Sequence, residues 1–157
     1  MFMNYEKLLD EAYSKNIIVK EIDFVSSCKG LTKGNKIGIN KKVKSYKEKA
    51  CILAEELAHN ELTVGNILDQ KNNISNRKQE YRARLHAYNR MIGIDGIIAC
   101  FNKGCRNQYE MASYLDVTED FLSEALTYYR QIYGICKVYG QYVIYFDPLA
   151  VMKSLEV

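Results

Sequence analysis

The sequence predicts an α+β protein, on three observations. Ser45-Tyr46-Lys47-Glu48 opens a helix whose apolar stripe is Ala50, Leu53, Ala54, Leu57 and Ala58. Ahead of it, Leu31 to Ile39 carries a hairpin pattern around Gly34-Asn35. Behind it, further helical segments lead into a second hairpin pattern, Ile135 to Phe146. At 157 residues, 48% apolar and 26% charged, the composition is that of one globular domain long enough to bury a core.

Taken in order, Tyr5, Leu8, Leu9, Ala12 and Tyr13 fall at helical spacing and predict an amphipathic helix over Tyr5 to Lys15. The β-branched run Ile17 to Phe24 predicts a strand, and with the hairpin it makes a small sheet against which that helix packs. The helix opened by Ser45 runs to about Glu61. Asn66 to Ser75 is polar and turn-rich, hence a loop, and Asn76 with Gln79 caps a second helix reaching about Ile92. Its expected stripe is Tyr81, Leu85, Tyr88 and Ile92, with Ala83 and Ala87 small enough for another backbone to come close. Asn107 and Glu110 form another capping pattern. Met111, Ala112, Leu115, Val117, Leu122 and Ala125 then sit where a helix-turn-helix core needs apolar residues, over 104–134. The terminal hairpin spans 135–148, turning at Tyr139-Gly140-Gln141, and Asp147-Pro148 ends regular strand.

The bulk chemistry excludes several classes. A net charge of +3 argues for neither nucleic acid nor a membrane surface. No apolar run approaches bilayer length and the N-terminus does not read as a signal peptide, so a cytoplasmic protein is expected. Five cysteines, an odd count without C-x-x-C spacing, point to reduced thiols; Cys100 and Cys105 read as structural.

One segment carries chemistry. Leu53-Ala54-Glu55-Glu56-Leu57-Ala58-His59 is one residue short of the H-E-x-x-H signature, in which two histidines one helical turn apart bind zinc beside a general-base glutamate. Glu55 stands where the first histidine belongs. Residues at i and i+4 lie one above the other, so Glu55 and His59 can face one ion, while Glu56, rotated by roughly 100°, can reach a water on it. Glu80, on the next predicted helix, is the candidate third ligand, leaving an open coordination position. Two carboxylates and one imidazole leave the ion less positive, acidify water less and loosen the preference for zinc toward harder ions such as manganese. Glu-Glu on a solvated helix face is common, so the short pattern alone does not specify a site. His86 reads as a packed or partly exposed histidine, Tyr81 and Tyr88 as core residues, and Lys41, Lys42, Lys44, Lys47 and Lys49 as a solvated face.

At these residues the chain resembles the ImmA/IrrE family of metallopeptidases. The resemblance runs through Glu48 to His59, Thr63 to Asp69 and Asn76 to Leu85. It extends upstream to Lys29-Gly30-Leu31 and Ile37 to Asn40, and downstream to Leu115 to Leu122 and Tyr128-Tyr129-Arg130. It implies a zincin-like fold, with a minimal metallopeptidase core over 1–100 and a helical tail. It also implies a cytosolic zinc-dependent endopeptidase that, in some members, cleaves a partner repressor of a mobile element. Carried over residue by residue, His59 and Glu80 are ligands, Glu56 is the base and Glu55 replaces the first ligand histidine. Ala58 stands for the usual glycine.

Two other classes compete. A metal-free scaffold of the same fold would use its groove to hold a regulator. A DNA-binding protein would use the helix-turn-helix segment, but its second helix begins Thr118-Glu119-Asp120 and continues through Glu124, placing carboxylates against phosphates. The expected partner is a protein substrate, a transcriptional repressor, rather than nucleic acid or membrane. The expected cofactor is one divalent ion, zinc ahead of manganese.

Overall fold

The computed structural model describes residues 2–64 and 73–155, and of residues 63, 64 and 73–75 the backbone alone. The chain forms two compact units, Met1–Met91 and Ile92–Val157. Among the described residues six helices and two small sheets make it α+β, as the patterning predicts.

In the first unit, helix α1 (Tyr5–Ser14) starts where the Asn4 side chain accepts from Lys7 N, satisfying one orphan amide of the first turn. Strands β1 (Ile18–Ile22), β2 (Gly30–Lys33) and β3 (Lys36–Asn40) form a sheet of order β1-β3-β2, with β1 parallel and β2 antiparallel to β3. Gly34, at φ 60°, is the first residue of the two-residue turn between β2 and β3, where a side chain would be strained. Ile37 and Ile39 are buried, filling the inner face of the sheet.

Helix α2 (Tyr46–Val64) extends past the expected Glu61. Ser45 Oγ accepts from Glu48 N at 3.3 Å, but Glu48 does not close the capping box; its carboxylate meets Lys29 Nζ at 2.5 Å instead. The stripe Ala50, Leu53, Ala54, Leu57 and Ala58 is fully buried. Polar contacts tie α2 to the sheet: Asn60 Nδ2 donates to Gly34 O at 2.6 Å, Lys49 Nζ meets Glu21 at 2.7 Å, and Thr32 Oγ1 lies 3.2 Å from Glu56 O.

Helix α3 (Asn73–Met91) corrects the expectation in two ways. It begins before Asn76, so Asn76 is inside the helix; residues 66–72 of the expected loop lie outside the described residues. Its buried face is Ala83, Ala87, Tyr88 and Met91, whereas Tyr81 is 36% exposed and Leu85 half-buried. The reason is close approach: α3 packs along α2, and the alanines admit a second backbone where larger side chains would hold it off. Glu61 of α2 gathers Lys15 Nζ at 2.5 Å, Arg90 Nη1 at 3.6 Å and His86 Nε2 at 3.5 Å, joining α1, α2 and α3 by charge.

The second unit opens with helix α4 (Gly93–Lys103), absent from the sequence reading, which ends on left-handed Gly104. Asn107 caps α5 (Gln108–Leu115), Asp116 makes the left-handed turn at φ 57°, and Thr118 caps α6 (Glu119–Tyr133). The helix-turn-helix core residues Met111 to Ala125 are buried as expected, and Glu119, Asp120 and Glu124 are exposed. Strands β4 (Cys136–Tyr139) and β5 (Tyr142–Phe146) form the predicted hairpin. A third strand, β6 (Leu149–Lys153), pairs antiparallel to β5, so Asp147-Pro148 turns the chain instead of ending the sheet. All five cysteines are free thiols. No helix among the described residues is long and apolar enough to cross a membrane.

Candidate metal centre

Glu55, Glu56 and His59 share one turn and a half of α2, and Glu80 lies on α3. The close α2–α3 packing brings His59 Nε2 within 3.1 Å of Glu80 Oε2, across the chain interval whose central residues lie outside the described ones. Arg84, one helical turn beyond Glu80, holds the other carboxylate oxygen at 3.0 Å and so orients the group. Both His59 and Glu80 retain solvent access, at 30% and 46% side-chain exposure, so an ion or a water could reach them.

Glu56 occupies a different environment. Its Oε2 lies 2.5 Å from Thr32 Oγ1 on β2, and the same hydroxyl lies 3.2 Å from the Glu56 backbone carbonyl. A hydroxyl has one proton and two acceptor sites, so this placement serves either state of the carboxyl. An ionised Glu56 takes the hydroxyl proton. A protonated Glu56 donates to Oγ1, which then turns its own proton to the carbonyl. Burial pushes the Glu56 carboxyl above the usual carboxylate range. The Thr32 hydrogen bond and the His59 imidazole pull it back, and the Glu80 carboxylate pushes it up. A carboxyl whose affinity for protons is raised is suited to accepting and returning a proton.

Gly30 makes room for this arrangement. A Cβ there would stand 2.6 Å from Ile52 Cγ2 and 2.9 Å from Glu56 Oε1, closer than atoms pack. Gly30→Ala is therefore expected to destabilise the fold by about 1–3 kcal/mol through overpacking and to displace the Glu56 carboxylate. Denaturant titration checks the first effect, and the second appears as lost hydrolysis at unchanged metal content.

The strand that positions Thr32 is also one of the two edges of the sheet. Asn40 N donates to Lys29 O at 2.9 Å, so Lys29, Leu31 and Lys33 occupy the bonded sites facing β3. The backbone groups of Gly30 and Thr32 accordingly point outward. Cys28 Sγ donates to the Gly30 carbonyl at 2.8 Å. An extended peptide could add to this edge by backbone hydrogen bonds, and it would then run beside Glu56.

Two ligands at about 2.0–2.2 Å from a tetrahedral ion stand roughly 3.3–3.6 Å apart. The His59–Glu80 separation of 3.1 Å is a hydrogen-bond distance a few tenths of an ångström short of that spacing, and an imidazole nitrogen with a carboxylate oxygen is a chemically suitable donor pair. Among the described residues no group of three His, Cys, Asp or Glu converges at ligand spacing. Glu55 is half-buried on α2. Thr32, Gly30 and Arg84 were not singled out from the sequence. Arg84 was accessible through its four-residue offset from Glu80, and strand alternation puts Gly30 and Thr32 on the core face of β2.

Comparison with known proteins gives one match. The model of the peptidase M78 family, described as the IrrE N-terminal-like domain, matches residues 18–127, from β1 into α6. No curated protein and no solved structure matches the chain.

Proposed function

Because the chain belongs to the IrrE N-terminal-like family of metallopeptidases, we propose that it is a metal-dependent endopeptidase acting through Glu56, His59, Glu80 and Glu55. Family membership carries a protein substrate and a divalent metal with it. The observation that supports the finer reading is the His59–Glu80 pair beside a half-buried carboxyl whose affinity for protons is raised. His59 and Glu80 would hold the ion, with Glu55 as the third donor, zinc ahead of manganese. When bound, the ion polarises the scissile carbonyl and acidifies water. Glu56 takes the proton of the attacking water and returns it to the leaving amine, while Thr32 keeps the carboxyl aimed in both states. The open edge of β2 holds the substrate backbone extended, and Arg84 holds Glu80 in place.

In this reading the peptidase core lies in residues 1–100, and the helical part at 104–134 serves protein docking. The regulatory role we infer is cleavage of a repressor-like protein of a mobile element, in the cytoplasm. Exposed Glu119, Asp120 and Glu124 on α6 argue against DNA as the partner.

The testing experiment is titration of purified, chelator-treated protein with zinc and with manganese. Roughly stoichiometric, saturable binding is expected, tightened by Glu55→His, which restores the imidazole and removes one negative charge. Absence of binding overturns the enzyme reading. It favours the second one, suggested by Glu55 itself: a scaffold that holds a protein regulator without cutting it. Binding that Glu55→His leaves unchanged removes Glu55 from the ligand set.

A further inference from the structure

The sheet of the first unit has two faces with different chemistry. Ile37 and Ile39 fill the inner one, on which Thr32 meets Glu56. Strand alternation puts Ile18, Lys20, Ile22, Leu31, Lys33 and Lys36 on the other. There Ile18 is 45%, Ile22 43% and Leu31 58% exposed. Gly38 keeps the middle of this face low: a Cβ would stand 3.1 Å from Ile22 Cδ1 and 3.2 Å from a Phe24 ring carbon, so both side chains lean across it.

The charges on this face are unrelieved. Lys33 and Lys36 are directly opposite one another beside the turn, a like-charge pairing that destabilises a hairpin. Lys20, Lys33 and Lys36 have no acidic partner among the described residues, whereas Lys15, Lys29, Lys41 and Lys49 of the same region each meet a carboxylate. Exposed branched aliphatics interleaved with repelling lysines would be stabilised by a ligand that is both acidic and apolar.

We propose that this outer sheet face docks a protein segment in which acidic residues are interleaved with aliphatic ones. A nucleic acid would match the lysines and leave the aliphatic side chains against phosphate. Anionic lipid recognition generally uses clusters of about 4–8 basic residues, more than this face presents. An acidic, apolar-bearing segment satisfies both features at once. The face is not the one that carries Glu56, so the proposal does not depend on the peptidase reading.

The test uses the full chain and a short fluorescent peptide of interleaved Glu and Leu, followed by anisotropy and by amide chemical shifts. Saturable binding is expected, weakening with salt, with shifts confined to β1, β2 and β3. Lys33→Glu should weaken binding by about tenfold while raising the melting temperature, because it converts the repelling pair into an attractive one. A purely structural lysine would not separate those two readouts. Leu31→Ser should weaken binding with the fold intact. No binding, unchanged binding in both variants, shifts elsewhere, or tighter binding to anionic vesicles or a DNA duplex than to the peptide would overturn it.

Discussion

Replacing Glu56 with Gln is expected to lower peptide hydrolysis by about 10²–10⁴-fold, the usual contribution of a positioned general base, while leaving metal content unchanged. Gln keeps the shape of the side chain and can still bond to Thr32, but it cannot accept and return a proton. Turnover of a denatured protein substrate, measured beside metal analysis of the same sample, checks this. Hydrolysis persisting at the wild-type rate would remove Glu56 from the catalytic role. The same variant carries a stability signature in the metal-free protein. A carboxyl whose folded pKa is raised binds more protons folded than unfolded, so its presence lowers stability as pH rises above the unfolded value, 4.5, toward the folded one. Below that window both states are protonated and the difference vanishes. The Gln variant should therefore gain in melting temperature relative to wild type as pH rises above 4.5, and keep that gain at higher pH.

His59→Ala and Glu80→Gln are each expected to weaken metal binding by more than about 100-fold, beyond the loss typical of a supporting residue. His59→Ala removes a donor outright. Glu80→Gln is nearly isosteric, so a loss of affinity there reports charge and coordination rather than packing. Arg84 provides the internal scale: Arg84→Gln frees one oxygen of Glu80 without touching the donor pair and should cost about 10–100-fold. Calorimetric titration with zinc ranks the three. Equal affinities across all of them would place the ion elsewhere.

The helix that carries the site was legible because its evidence is local. Ser45 at the cap, a stripe of alanines and leucines, and Glu55, Glu56 and His59 at their spacing all follow from one periodicity, and the stripe is buried throughout. The turn at Gly34 and the second cap at Asn107 were legible for the same reason, each resting on a few adjacent residues. Helix α3 was not read correctly, because its buried face is decided by the neighbour. With several apolar residues around the helix, Ala83 and Ala87 win over Tyr81 and Leu85 only because α2 comes close. Helix α4 was missed although Ile94, Ile97 and Ile98 follow Gly93, whose left-handed φ of 62° separates this helix from α3. Strand β6 was missed because Asp147-Pro148 looks like a terminus when it is a turn.

By itself, then, the sequence determined the α+β class, the helix bearing Glu55, Glu56 and His59, the two hairpin turns, and the family to which the motif belongs, since each depends on residues near one another in the chain. Only the tertiary structure decided that Glu80 meets His59, that Thr32 and Gly30 frame Glu56, and that Lys20, Lys33 and Lys36 of the outer sheet face meet no carboxylate among the described residues. Those relations join residues far apart along the chain, and burial, register and close helix packing are properties of the assembled fold.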